Sequence, residues 1–157
     1  MSARIRLLVL DVDGVLTDGR LWFDGSGEAF KVFHVRDGHG IKAVLQAGIA
    51  VAVVSGRSSP AVTRRCAELG ISYVEQGCAD KVAALNRLTA ALGVAAADTA
   101  CLVDDTPDLG LMAAVGHAFA VADAHPQVRK LAQRVTEAPG GAGAVREVCD
   151  WLVARRP

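Results

Sequence analysis

The stretch "LLVLDVDGVLTDG", Leu7 to Gly19, decides the fold. Its first half is apolar at every position, so neither face of a strand formed here would meet water, and such strands belong to a parallel sheet covered on both sides. The run then stops in acids and glycines: Asp11, Asp13 and Asp18 follow within eight residues of Leu10. In an open parallel sheet the ligand crevice lies outside the carboxyl ends of the strands, which puts Asp11 and Asp13 where a ligand would be met.

Working outward, short runs rich in Val, Ile and Leu recur, each followed by a turn and a helix-period segment. Strands are predicted at Ile5–Leu10, Ile49–Val54, Ser72–Glu75, Thr99–Val103 and His117–Val121. Helices are predicted at Gly38–Gln46, Pro60–Leu69, Lys81–Leu92, Asp108–Ala114, Pro126–Ala132 and Gly143–Arg155. Glycines close two of them, in "LQAGI" and "ELGI", and Pro60 and Pro126 stand near helix starts. The alternation implies a three-layer, Rossmann-like α/β fold, a parallel sheet with helices on both faces. One segment interrupts it. "RLWFDGSGEAFKVFHV", Arg20 to Val35, carries two β-prone runs around "DGSG" and reads as an inserted hairpin. It holds Trp22, Phe23, Phe30 and Phe33, and because a lone hairpin is marginal in water these rings need a surface to pack on, with a second subunit as the expected one.

Composition sets the remaining bounds. The 157 residues suit one domain with a substantial core, and 17 Lys+Arg balance 17 Asp+Glu, which gives no basic face for nucleic acid or a membrane. Cys66, Cys78, Cys101 and Cys149 are widely spaced, as expected of free thiols in a reducing compartment rather than a zinc site or disulfide framework. No apolar run is long enough to span a bilayer and no cleavable leader is evident, so a soluble cytoplasmic protein is expected.

Reading the residues after each strand together gives one constellation. Asp11 and Asp13 follow the first, Ser55, Gly56 and Arg57 the second, Lys81 opens the helix after the third, and Asp104, Asp105 and Asp108 follow the fourth. Crowded carboxylates repel one another, and a hard divalent cation with oxygen ligands, Mg²⁺ best of all, relieves them. A bound cation, Lys81 and Ser55 could then take a phosphoryl group, and an ionised Asp11 or Asp13 is a competent nucleophile toward phosphorus. Each feature alone has an ordinary explanation as a cap or turn, but caps do not predict that all four groups follow strands.

In order, "DVDGVLTDG", "VSGR", Lys81 and "DDTPD" resemble the four motifs of the haloacid dehalogenase superfamily of aspartyl-phosphate hydrolases. "VRDGHGIKAV", "RCAELGI", "VADAHPQV" and "GAVREVCDWL" extend the resemblance to its small capless branch, which contains the 3-deoxy-D-manno-octulosonate 8-phosphate phosphatases, over essentially the whole chain. The resemblance implies one phosphatase domain over residues 1–157, with the hairpin inserted at about 20–35 and no cap domain. It makes Asp11 the nucleophile and a metal ligand, and Asp13 the general acid and base, its backbone carbonyl a further ligand. It makes Ser55, with Gly56 and Arg57, and Lys81 the phosphate and substrate binders, Asp104 the third protein ligand of Mg²⁺, and Asp105 and Asp108 supporting acids. Asp18 has no such counterpart and is expected to open the turn into the hairpin. The branch assembles as homotetramers in which the hairpin reaches a neighbour's site, and Arg36, Asp37 and His39 fall in its sugar-phosphate region.

Two positions depart from the pattern. Val103 stands where the acidic motif usually begins with Gly, and Ala142 stands in "GGAG" where the octulosonate phosphatases read G-G-R-G. The resemblance therefore implies a Mg²⁺-dependent phosphomonoesterase acting on a phosphorylated 2-keto-3-deoxy sugar acid. The alternatives are a nonulosonate 9-phosphate or another small phosphate ester as substrate, or a non-catalytic assembly or regulatory module on the same fold. A receiver domain also gathers carboxylates and a lysine at strand ends, but needs neither the D-x-D spacing nor the hairpin.

Overall fold

The computed structural model describes residues 4–156. Six parallel strands form one sheet: β1 (Leu7–Leu10), β4 (Ala50–Val54), β5 (Tyr73–Glu75), β6 (Thr99–Val103), β7 (His117–Ala120) and β8 (Arg134–Val135), in the order β5-β4-β1-β6-β7-β8. β1 is central, with Leu7 to Leu10 in register with Ala50 to Val53 on one side and with Thr99 to Leu102 on the other. All four of its residues are fully buried, as a strand covered on both faces requires. The sheet is flanked by α1 (Val35–Gln46), α2 (Pro60–Leu69), α3 (Lys81–Leu92), α4 (Leu109–Ala114), α5 (Pro126–Leu131) and α6 (Ala144–Ala154). Among them α1 packs on α6 and α2, and α3 packs on α4. Among the described residues no cap domain interrupts this Rossmann-like α/β arrangement.

The chain leaves the sheet once, between β1 and α1, through the antiparallel pair β2 (Trp22–Asp24) and β3 (Gly27–Phe30). Asp18 accepts from the Arg20 backbone N–H at 2.9 Å and pairs with the Arg20 side chain, which fixes the entry into this hairpin.

Two elements differ from the reading of the sequence. α1 begins at Val35 rather than Gly38, because His34 caps it, its Nδ1 accepting from the Arg36 N–H at 3.1 Å. Gly38 and Gly40 lower the apparent helix propensity there. Gly40 serves packing instead: a Cβ on it would lie 3.0 Å from the Cys149 Cβ of α6, so a larger residue would push the two helices apart by a few tenths of an ångström. The strand β8 was missed altogether. Two residues carry no periodicity, and β8 is held by the ladder it extends, with Gln133 N–H to Ala118 O and Thr136 N–H to Ala120 O, both at 2.9 Å.

Candidate active site

A cleft of about 370 Å³ opens at the carboxyl ends of β1, β4 and β6 and is lined by Asp11, Asp13, Ser55, Gly56, Arg57, Lys81, Asp104, Asp105 and Asp108, with Gly19, Cys78, Ala79 and Pro107. All nine residues picked out for the site from sequence thus meet in one place.

Each is delivered by a strand end or a cap. After β1 the backbone turns through an irregular loop, with Asp13 and Gly14 outside helical dihedrals, and Asp11 accepts from the Val12 N–H at 2.8 Å. Gly14 has φ +85°, and a Cβ there would overlap the Asp104 carboxylate, so glycine is what allows the loop to close over the acids. After β4, the Ser55 hydroxyl accepts from the Arg57 N–H at 3.3 Å, and the Ser55 backbone is bonded to Glu75 and Cys78. Asp80 caps α3 by accepting from the Ala83 N–H at 2.9 Å, which sets Lys81 at the first helical position, facing the cleft. After β6, Asp105 accepts from the Thr106 N–H and opens a single 3₁₀ turn that ends at the buried Asp108.

Electrostatics at the floor of the cleft are unbalanced. Asp11, Asp104 and Asp108 can each offer an oxygen within 4.8 Å of the others. One cation serves them: the Lys81 ammonium lies 2.6 Å from Asp108 and 3.1 Å from Asp11. Burial, and then the neighbouring Asp108, push the Asp11 carboxyl well above the usual carboxylate range. The same two causes push Asp104 up to about 6. Burial alone would pull the Lys81 ammonium down, but Asp11 and Asp108 outweigh it and hold the ammonium above its ordinary value. Three hard oxygen donors around too little positive charge are a fit for a small divalent cation such as Mg²⁺.

The Asp13 carboxylate stands apart from this group. Its Oδ1 accepts from the Lys31 ammonium at 2.7 Å, and its Oδ2 lies 3.8 Å from Arg57 Nε. The Asp13 carboxylate is therefore engaged at the rim and does not join the three acids at the floor. Glu28 joins the same rim, 3.1 Å from Lys31 and 3.5 Å from Arg57, and accepts from the Ser59 hydroxyl at 2.6 Å. That hydroxyl, ahead of the two cations, holds the Glu28 carboxyl below its ordinary range. Glu28, Lys31 and Ser59 were missed in the sequence. The only signal was a pair of opposite charges in an otherwise aromatic hairpin, which reads equally as a solvated edge.

Asp37 and Phe33 lie otherwise than the sequence suggests. Asp37 does not face the cleft: it is buried and accepts from the Arg146 N–H at 2.9 Å, capping α6. Arg36 and His39, both exposed, do not line the cleft either. Phe33 packs against the chain's own core, whereas Leu21, Trp22, Phe23, Phe30 and Val32 are exposed, with Trp22 and Phe30 stacked at 5.2 Å. Ala142 is exposed in the tail loop and is not part of the cleft wall.

Comparison with known proteins agrees with this geometry. Residues 73–147 match the haloacid dehalogenase-like hydrolase family. The chain is 48% identical over 152 residues to the 3-deoxy-D-manno-octulosonate 8-phosphate phosphatase KdsC of Escherichia coli K12, covering 97% of this chain and 81% of that protein. This chain belongs to the haloacid dehalogenase-like hydrolases. Within them it falls in the capless branch of the octulosonate phosphatases, and it is a phosphoric monoester hydrolase. Among solved structures, the cobalt-bound phosphatase of Haemophilus influenzae superposes with TM-score 0.95 at 47% identity, covering 97% of this chain and 89% of that one. The Moraxella catarrhalis enzyme, solved with magnesium, phosphate and a KDO molecule, gives TM-score 0.93 at 41% identity, covering 97% and 87%. A haloacid dehalogenase phosphatase with this acid cluster takes Mg²⁺ as its cofactor.

Proposed function

We propose that the chain hydrolyses 3-deoxy-D-manno-octulosonate 8-phosphate, or a closely similar 2-keto-3-deoxy sugar-acid phosphate, through an aspartyl-phosphate intermediate. The observation that carries this reading is the Asp11–Lys81–Asp108 ion triad beside Asp104 at the β1 carboxyl end, in a chain so similar to named octulosonate phosphatases.

Asp11 attacks phosphorus, forming the Asp11 O–P bond as the bond from phosphorus to the sugar oxygen breaks. Asp13 gives its proton to the departing sugar alkoxide. It then takes a proton from water, whose oxygen attacks the same phosphorus, releasing inorganic phosphate and the free Asp11 carboxylate. Lys81 holds Asp11 by one oxygen and directs the other at the phosphoryl group, while Ser55 and the backbone N–H groups of Gly56 and Arg57 receive phosphoryl oxygens. Asp11, Asp104 and the Asp13 carbonyl would hold Mg²⁺, with Asp108 and Asp105 in support. When bound, that ion neutralises phosphoryl oxygens and stabilises the charge that develops on them.

Residues 1–157 act in this reading as one phosphatase domain in the cytoplasm. Among the described residues, no helix is long and apolar enough to cross a membrane. The exposed ring face of the hairpin is covered by another copy in a homotetramer. A nonulosonate 9-phosphate remains the second substrate reading, because Ala142 takes the place of the arginine usual in the tail loop of octulosonate phosphatases.

The test is release of phosphate from a set of sugar phosphates that contains both sugar acids, with Asp11→Asn as control. The expected result is turnover of a sugar-acid phosphate above all others and a loss of at least about a thousandfold in Asp11→Asn, since an amide is not a nucleophile toward phosphorus. Preference for a neutral sugar phosphate would overturn the substrate assignment, and near wild-type activity in Asp11→Asn would overturn the mechanism.

A further inference from the structure

Lys31, behind Asp13 at the rim of the cleft, has a side chain only 3% accessible although it comes from a hairpin whose strands are largely open to solvent. Burying an ammonium costs several kcal/mol unless partners compensate, and two do: Asp13 at 2.7 Å and Glu28 at 3.1 Å. Glu28 is tied in turn to Ser59, the residue that opens α2, and the Ser59 N–H is bonded to the side chain of Gln76 at 2.8 Å. A continuous chain of charge-assisted contacts thus runs from the body of the domain to one oxygen of Asp13.

Asp13 needs such a tether. It sits in the irregular loop after β1. The terminal torsion of an aspartate is broad, so its carboxylate would otherwise sweep over several orientations. With Oδ1 held by Lys31, Oδ2 is the oxygen left without a hydrogen bond, and it is the one on the side of Arg57, which lines the cleft. We propose that Lys31, oriented by Glu28, is a positioning residue that presents Asp13 Oδ2 to the leaving oxygen of the substrate. The proposal rests on Asp13 being the general acid of the reaction set out above. It assigns to the hairpin a second task inside its own subunit, separate from the task of its exposed rings.

Asp13 serves every substrate as the base of the second step, but only a poor leaving group needs it as the acid of the first, so kcat/KM, which reports the first step, separates a positioning role from a purely structural anchor that affects all substrates alike. The experiment measures kcat and KM, with saturating Mg²⁺, for p-nitrophenyl phosphate and for 3-deoxy-D-manno-octulosonate 8-phosphate in wild type, Lys31→Met, Lys31→Arg, Glu28→Gln and Asp13→Asn. General acid catalysis contributes about 10²–10⁴-fold, and misplacing the acid forfeits part of that. Lys31→Met is therefore expected to lower kcat/KM on the sugar phosphate about 10- to 100-fold and on the aryl phosphate no more than about 3-fold. Lys31→Arg recovers most of the loss, and Glu28→Gln shows the same pattern in weaker form.

Equal losses of kcat/KM on both substrates in Lys31→Met, or no rescue by arginine, would overturn the positioning role, provided kcat/KM of Asp13→Asn itself discriminates between them. If Asp13→Asn loses equally on both, the assignment of Asp13 as the acid falls first. Should Lys31→Met fail to fold, Glu28→Gln and Lys31→Arg decide the question by the same comparison.

Discussion

Replacing Lys81 by Met removes the one cation among Asp11, Asp104 and Asp108 and leaves similar side-chain volume, so its effect isolates charge. The ion triad is well shielded: the side chains of Lys81, Asp11 and Asp108 are 12%, 10% and 1% exposed. Breaking a buried pair by deleting one partner typically costs about 3–5 kcal/mol. A ceiling applies, because an abandoned carboxylate can escape by taking up a proton, and protonating a group of ordinary aspartate pKa at pH 7 costs about 4 kcal/mol. At pH 5 that ceiling falls to about 1.5 kcal/mol. In a chain of this length one kcal/mol moves Tm by about 2–4 °C, so metal-free Lys81→Met should melt about 6–16 °C below wild type at pH 7 and only a few degrees below it at pH 5. A divalent cation supplies the missing positive charge and no longer competes with the ammonium, so Mg²⁺ should raise Tm more in the variant than in wild type. The assay is thermal unfolding in chelator and in saturating Mg²⁺ at both pH values, beside phosphatase activity, which should fall at least about 10²-fold because a preorganised phosphate contact is lost. A deficit that is the same at pH 5 and pH 7, or a Mg²⁺ response no larger than that of wild type, would refute the view that Lys81 and the metal answer to the same carboxylates.

Three further outcomes follow from the same geometry. Burial raises the folded-state pKa of Asp11, and of Asp104 to about 6, so metal-free native protein binds protons that the unfolded chain has released; its stability is greatest below about pH 4 for these groups and falls as pH rises through 6. Melting in chelator from pH 4 to 8 checks this, and Mg²⁺ should flatten the decline. Trp22→Ser with Phe30→Ser removes the exposed stack without touching Phe33 or the polar rim, so sedimentation should show a smaller assembly at unchanged fold; an unaltered particle size would place the subunit contact elsewhere. Ala142→Arg should raise kcat/KM for 3-deoxy-D-manno-octulosonate 8-phosphate by about 10- to 100-fold, the worth of one charge-assisted hydrogen bond, and leave p-nitrophenyl phosphate unaffected; no change on either would remove the tail loop from substrate recognition.

What the sequence made legible was whatever a strand end enforces. An apolar run of four or five residues that stops in acids, or in Ser-Gly-Arg, reads as a strand end even though each polar group alone could be a cap or turn, and the register of β1 with β4 and β6 then brings those ends together. Asp11, Ser55 and Asp104 were accessible for that reason, and Lys81 because Asp80 caps the helix that it opens. Asp37 misled because a polar residue near a helix start looks the same whether it faces a ligand or caps another helix 109 positions away, as it does at Arg146. The strand β8 is too short to show any period.

The hairpin was the element least open to a one-dimensional reading, because its two sets of side chains serve different surfaces. Its rings could be recognised as needing cover, since Trp22, Phe23 and Phe30 exceed what a lone two-stranded ribbon can hide. Its charges could not be assigned, since nothing along the chain says that Glu28 and Lys31 fold back over Asp13, 18 positions from Lys31, while Trp22 and Phe30 stack on each other in the open. The consequence is mechanical. A contact that covers the rings from outside bears on the same β3 strand that carries Glu28, and Lys31 follows that strand directly. Anything that seats or unseats the hairpin therefore acts on the orientation of Asp13, so loss of assembly in Trp22→Ser with Phe30→Ser should depress turnover of the sugar phosphate more than turnover of the aryl phosphate. If both fall together, or neither does, the ring face and the charged face of the hairpin work independently.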